Sequence, residues 1–438
     1  MKFELNAARN NTDVNKKISW LIFLSIIFIC FDNIPKYMQL SFISSGMANK
    51  LSWYPLFICG IIFLYQTHKK TIIVLEKKYF IYFSCILLSL QIFSTINGLI
   101  IYPYYDAILN GPIEQIEKLP KVHALLTNHS IFVSEQSLLK VWLISRILKT
   151  NILDYFYTFG FSFVLYIYIK QNIPHYRELL LKGMMVSLII VTAYGIIDAL
   201  YMAGNETAKN ILITVNPFLH PIKSNYGWWP PLLWVNQLRS VFPEPSHMGN
   251  FAAFILPLLW FKVLQAKNKV NFNLLLILNT IFLFLLFLTK ARTAVSMVLG
   301  ISVLYFTFMF FIFNRKVTKR VLALILSLGI AFWSSNVFLS NVTEMANTKS
   351  ITMNKLVETT DFDAYIESNL LSLGDKSKRS NGARYALILS HLKVSLEHPI
   401  LGVGNGLATM YVVDKFTEED LDNREVKMWV DNIEKEAF

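Results

Sequence analysis

Phe272-Asn-Leu-Leu-Leu-Ile-Leu-Asn-Thr-Ile-Phe-Leu-Phe-Leu-Leu-Phe-Leu-Thr289 carries no charged side chain, and as one helix it is long enough to cross the hydrocarbon of a bilayer. It has many counterparts. The 438-residue chain is 54% hydrophobic and 14% aromatic, and only 16% of it is charged; its mean hydropathy is +0.44. Soluble domains carry about 25% charged residues, and no soluble core can bury so many runs of near-spanning length. The expected fold is therefore an all-α polytopic membrane protein, because a helix satisfies its own backbone in lipid. Taken at about 20 residues per crossing, the apolar runs give about nine transmembrane helices. They lie near 18–36, 51–66, 79–102, 152–170, 180–203, 247–265, 272–289, 292–313 and 321–338.

The connectors on either side of the quoted run differ in charge, and that difference orients the chain. Lys262, Lys267 and Lys269 precede it; the same side of the membrane receives Lys16 and Lys17, then Lys69, Lys70, Lys77 and Lys78. Lys170 with Arg177, and Arg315, Lys316, Lys319 and Arg320, fall there too. By the positive-inside rule this side, with the N-terminus, is cytoplasmic. The net charge of +12 thus encodes topology and does not point to nucleic acid. Cys30, Cys59 and Cys85 sit in apolar runs with neither a disulfide framework nor metal-ligand spacing. No metal and no cofactor is expected. The first apolar run lacks a small-residue cleavage site and reads as a retained span.

The other connectors are then extracytoplasmic. Pro103–Gln136 is expected as a loop, with Ser137–Asn151 lying along the interface, and Gly204–Glu244 brings Trp228, Trp229 and Trp234 to an aromatic belt. Leu339–Phe438 is longer and far more charged, too polar to contain a span. The chain therefore divides by composition into a transmembrane domain, 1–338, and a large late extracytoplasmic loop region, 339–438.

Three outer stretches carry chemistry. The first is Arg239-Ser-Val-Phe-Pro-Glu-Pro-Ser-His247, where Pro243 and Pro245 fix the backbone on either side of Glu244 and Ser246 can cap the helix that follows. The second is the short turn Lys290-Ala-Arg292, which places two cations at a helix N-terminus, where the dipole favours an anion. A phosphate-bearing ligand would remove that penalty; snorkelling to lipid headgroups is the bland alternative. Arg292 has the better geometry, because guanidinium grips phosphate bidentately. The third runs from Arg384 through His391 to His398-Pro-Ile-Leu-Gly402-Val-Gly404-Asn-Gly406. Tyr385, Ile388, Leu392 and Leu396 make one apolar stripe at helical spacing, and Pro399 disfavours helix at His398. The glycines superficially suggest a phosphate cradle but follow no strand; a tight turn fits them better. Asp198, near the outer end of the fifth span, is an ionisable group in the membrane and so a functional candidate, or else a partner for a basic neighbour.

In this order the three stretches resemble the O-antigen ligase and Wzy-type polysaccharide polymerase family, over about Arg239 to Gly406. The sequence departs from the family in having Ala291 where Ser is usual before the Arg, and the family's further C-terminal spans are not seen before Phe438. The resemblance implies a GT-C-like glycosyltransferase of the bacterial cytoplasmic membrane, inverting and metal-independent. Its substrate would be a polyprenyl-diphosphate-linked oligosaccharide in the lipid bilayer, with a flippase and a chain-length regulator as partners. On this reading Arg239, Lys290, Arg292 and Arg384 bind diphosphate, with Arg292 also catalytic. Glu244 and His391 are the proton acceptors, and His247, His398, Gly402 and Gly404 are secondary candidates. The leading expectation is a polymerase joining repeat units for O-antigen or capsule. The alternatives are a ligase moving the glycan to lipid A core or another acceptor, and a lipid-linked glycan transporter.

Overall fold

Helices form where the apolar runs satisfy their own backbone, and the computed structural model describes residues 2–40, 47–69, 76–111, 113–220, 232, 237–310, 315–349 and 379–435. The helices are, in order, α1 (Lys2–Ile27), α2 (Trp53–His68), α3 (Lys77–Ile101), α4 (Tyr105–Asn110), α5 (Leu119–Asn128) and α6 (Glu135–Tyr155). Then come α7 (Phe161–Gln171), α8 (Ile173–Met202), α9 (Glu206–Leu219), α10 (Pro245–Gln265), α11 (Lys269–Leu288), α12 (Arg292–Phe310) and α13 (Arg315–Lys349). The late segment adds α14 (Arg379–Glu397), α15 (Ala408–Val413), α16 (Glu418–Asp422) and α17 (Arg424–Lys435).

Among the described residues, six helices are long and apolar enough to cross a membrane: Lys77–Ile101, Glu135–Gln171, Ile173–Met202, Pro245–Gln265, Lys269–Leu288 and Val317–Val342. These match six of the nine expected runs. Of the other three, the first two fall short for local reasons. The first helix stops at Ile27, and Phe28–Cys30 is a 3₁₀ turn leading into Asp32-Asn-Ile-Pro35. The second has 16 residues, about 24 Å of helix. Of the eighth, 292–313, the described residues hold an apolar helix over Ala294–Met309, and 311–313 lie outside the described residues. Ser137–Asn151 is not a separate interfacial segment. It belongs to α6, which continues through a π-helical turn at Phe156–Gly160 into α7 as one helix of 37 residues. At about 55 Å this exceeds a hydrocarbon core of about 30 Å, so part of it stands clear.

By packing the chain forms two units, which interleave along the sequence where the break at 338 was one of composition: Met1–Thr71 with Tyr168–Leu371, and Ile72–Ile167 with Ser372–Phe438. In the first, α1 lies on α8, where Ser187 Oγ donates to the carbonyls of Ile26 and Ile27 at 3.0 and 2.8 Å. Buried amides tie α10, α11 and α13 together: Trp260 Nε1 donates to Asn279 Oδ1 at 2.8 Å, and Asn279 Nδ2 to Ser327 Oγ at 2.7 Å. Met248, Ala252, Ile255, Leu259, Phe282 and Leu285 fill the core around them. The Arg320 guanidinium holds the carbonyls of Leu264 and Ala266, so the start of α13 meets the end of α10 among Lys262, Lys267 and Lys269. The α11–α12 turn and the start of α10 lie at the opposite end of these helices. That is the end where the first two motifs fall.

In the second unit α3 supports the glycine-rich turn. Gly402, Gly404 and Gly406 all have positive φ, at 64°, 89° and 77°, a region open to glycine at no steric cost. A Cβ on Gly98 would lie only 2.2 Å from the Val403 carbonyl oxygen. Ser94 Oγ donates to the Leu401 carbonyl at 2.5 Å, and Tyr105 Oη to that of Leu99 at 2.6 Å. α14 ends at Glu397, before His398-Pro399, as expected. Its packing face was not as expected: Tyr385, Ile388, Leu392 and Leu396 are exposed, while Ala383, Ala386, Ser390 and Val394 are buried. Small side chains allow the closer approach, and they win the interface.

Candidate functional site

The first two motifs meet within the first unit. Backbone N–H of Leu238 donates to the Leu288 carbonyl at 3.1 Å, joining the chain just before Arg239 to the end of α11. Farther on, Gly249 lets the first turn of α10 touch the first turn of α12: a Cβ there would lie 2.6 Å from Ala294 Cα and 2.8 Å from its nitrogen. Arg239–His247 and Lys290–Arg292 thus share one end of the helix bundle.

The turn that starts the first motif is fastened from beneath. Asp198 Oδ2 accepts the backbone N–H groups of Arg239 and Ser240 at 3.3 and 2.7 Å, and Ser240 Oγ donates to the Val191 carbonyl at 2.7 Å. Ser240 is held at φ 56°. The sequence marked Asp198 as a functional candidate or a partner for a cation. It is a backbone acceptor, with the Arg239 charge beside it. Arg239 itself is only 1% exposed, its Nη1 3.5 Å from the Pro243 carbonyl. Burial pulls its pKa below the ordinary value, and Asp198 opposes that. His220, just past α9, is 2% exposed, and among the described residues neither ring nitrogen has a hydrogen-bond partner.

Pro243 and Pro245 are buried on either side of an exposed Glu244. Glu244 is the N-cap residue of α10, in extended conformation at φ −136° and ψ 150°, and its side chain makes no capping bond. Ser246, expected as the cap, is inside the helix, because Pro245 already takes its first position. His247 follows on the same turn, and its Nδ1 is 2.6 Å from Asp32 Oδ2. The motif gave no hint of this partner. The one available signal was a carboxylate inside an expected span, 18–36.

Thr289 shapes the second motif. Its Oγ1 donates to the Leu286 carbonyl at 2.7 Å and accepts the Ala291 N–H at 3.1 Å, and Lys290 takes a left-handed φ of 50°. Such a conformation costs a non-glycine residue about 1 kcal/mol. Lys290 and Arg292 are both half-buried at the start of α12, where unsatisfied N–H groups and the helix dipole favour an anion.

Arg384, His391, His398, Gly402 and Gly404 belong to the second unit. Arg384 and His391 are exposed on α14. His391 Nδ1 is 2.8 Å from the Leu387 carbonyl; a carbonyl can only accept, so Nδ1 carries the proton and Nε2 can take one. His398 is half-buried, edge-on to the Tyr411 ring at 5.5 Å. Gly402 donates its N–H to the His398 carbonyl at 3.1 Å, and Asn97 Nδ2 reaches the Gly402 carbonyl at 3.4 Å. These bonds make the glycine turn a joint between α14 and α3.

A cleft of about 760 Å³ lies near the first residues of α8, lined by Lys16, Trp20, His175, Glu178 and Lys182 among others. It shares no residue with the motifs. Asp198 is farther along the same helix, about 24 Å beyond Lys182, the last lining residue on it.

Comparison with known proteins bears out the resemblance over the C-terminal part of the chain: residues 274–427 match the family model described as O-antigen ligase. The match takes in Lys290, Arg292, Arg384, His391, His398, Gly402 and Gly404, and leaves Arg239, Glu244 and His247 upstream of it. No curated protein and no solved structure matches the chain.

Proposed function

With residues 274–427 in the O-antigen ligase family, we propose that this multi-pass membrane protein transfers a glycan from a polyprenyl diphosphate to an acceptor hydroxyl. The observation that carries the reading is the junction of α10 with α12. It sets an exposed carboxylate, a histidine and two cations at one end of a bundle whose other end is basic. The positive-inside rule makes the basic end cytoplasmic, so the reaction takes place at the outer face, after the lipid-linked glycan has crossed.

The chemistry follows from the groups present. The diphosphate leaves the anomeric carbon with growing negative charge, which Lys290, Arg292 and the α12 N-terminus are placed to offset. The attacking hydroxyl must lose a proton, and the end of the bundle that carries Glu244 offers a basic atom for it. Direct displacement inverts the anomeric centre, in the manner of GT-C enzymes.

Two versions of this reading differ in the acceptor. The family's description favours a ligase, which moves the finished glycan to lipid A core or another acceptor. The Phe-Pro-Glu-Pro-Ser stretch favours a polymerase, in which the acceptor is a second lipid-linked repeat unit. Purified protein in lipid, given lipid-linked repeat unit alone, produces a ladder if it polymerises. If it ligates, a product forms only when the second acceptor is added. In either case Arg292→Ala lowers the rate by about 10²-fold or more. A wild-type protein silent with both acceptors would refute glycan transfer.

A further inference from the structure

We infer that His247, oriented by Asp32, is the proton acceptor of the transfer reaction, an assignment that rests on the glycan-transfer reading above. Four observations lead to it. The 2.6 Å bond between His247 Nδ1 and Asp32 Oδ2 joins the first turn of α10 to the segment after α1, 215 positions apart in the chain. A carboxylate can only accept, so Nδ1 carries the proton and Nε2 presents its lone pair. Among the described residues Nε2 has no hydrogen-bond partner, and the side chain is 39% exposed. Finally, Asp32 Oδ1 is buried and has no hydrogen-bond partner among the described residues. A carboxylate half-satisfied in this way costs stability, which points to a role other than holding the fold together.

The placement suits the chemistry. Gly249, two residues after His247, touches Ala294, two residues after Arg292. The base and the cations for the leaving group thus sit on adjoining first turns of two helices. Glu244 and Lys50 are the other charges acting on the ring. In the step itself, the acceptor hydroxyl gives its proton to Nε2 as its oxygen bonds to the anomeric carbon. The bond from that carbon to the diphosphate oxygen breaks, and its electron pair leaves with the polyprenyl diphosphate. The imidazolium formed is stabilised by Asp32 and then returns its proton to water. His247 is a catalytic residue in this scheme, and Asp32 is a positioning residue.

The test uses the full-length protein in lipid, with lipid-linked repeat unit as donor and, in a second arm, lipid A core as added acceptor. His247→Ala is expected to lower kcat by about 10²- to 10⁴-fold with little change in KM, and added imidazole is expected to restore part of the rate. Asp32→Asn is expected to lower kcat by about 10²-fold or more, and Asp32→Glu to retain more of it. Thermal unfolding and donor binding, measured on each variant, show that the protein is folded. If His247→Ala unfolds, His247→Gln takes its place in the kcat and KM comparison. An active wild type whose His247 variants keep kcat within about tenfold overturns the assignment, as does a folded His247→Ala that imidazole does not rescue. A wild type inactive in both arms instead overturns the glycan-transfer reading on which it rests.

Discussion

Replacing Gly249 by alanine tests the junction on which the functional reading depends. The added Cβ would lie 2.6 Å from Ala294 Cα, 2.8 Å from Ala294 N and 2.9 Å from Ala294 Cβ. Carbon atoms pack at about 3.5–4.0 Å, so α10 and α12 must part by about 1 Å. Overpacking on this scale costs about 1–3 kcal/mol. It also moves Glu244 and His247 away from Lys290 and Arg292, and a misplacement of about 1 Å can cost about 10²-fold in rate. Thermal unfolding followed by tryptophan fluorescence measures the first effect, and glycan transfer the second. Adding Ala294→Gly removes only the Cβ–Cβ contact and leaves both backbone contacts, so the double variant should recover a minor part of the loss. If Gly249→Ala were as stable and active as wild type, or Ala294→Gly restored it fully, the two helices would not meet as described.

Other perturbations act elsewhere in the molecule. Asp198→Ala strips the buried Arg239 and Ser240 amides of their acceptor, a loss of about 1–3 kcal/mol; Asp198→Asn keeps an acceptor oxygen and should lose less, and equal unfolding midpoints for the two would contradict this. Burial first, and the Arg239 charge second, hold the His220 imidazole well below its ordinary value of 6.5. The unfolded chain therefore takes up a proton that the folded one refuses: stability is level above pH 6.5 and declines as the pH falls below it. His220→Phe should flatten that slope, and an unchanged slope would exclude His220 as its source. Gly98→Ala pushes on the Val403 carbonyl, so residues 398–407 should exchange their amide hydrogens faster; the same protection as in wild type would show that α3 does not carry the turn.

Much of this organisation could be read from the chain because composition constrains a membrane protein so strongly. Lys267 and Lys269 sit beside the Arg320 end of the bundle because charge cannot enter hydrocarbon, and such residues mark helix ends wherever they occur. The meeting of Arg239–His247 with Lys290–Arg292 follows from the same logic, since α10 begins where α11 ends. Expectation failed where short and long range compete. The helix of α14 was legible, but its stripe of Tyr385, Ile388, Leu392 and Leu396 faces outward, because hydrophobicity alone does not distinguish a surface that packs against protein from one that meets lipid. The Asp32–His247 bond left no local trace. Nothing in the residues around His247 encodes a carboxylate 215 positions earlier.

That outward stripe has a practical consequence. Ile400 continues it, 91% exposed, beyond Tyr385, Ile388, Leu392 and Leu396, which are 42% to 71% exposed. Excised and expressed on its own, the hydrophilic-looking tail from 339 onward would put this row of side chains into water and invite self-association. Detergent or nanodisc would be needed to keep such a fragment in solution, despite its abundance of charge. The average polarity of a sequence window is a poor guide to the solvent its folded surface requires.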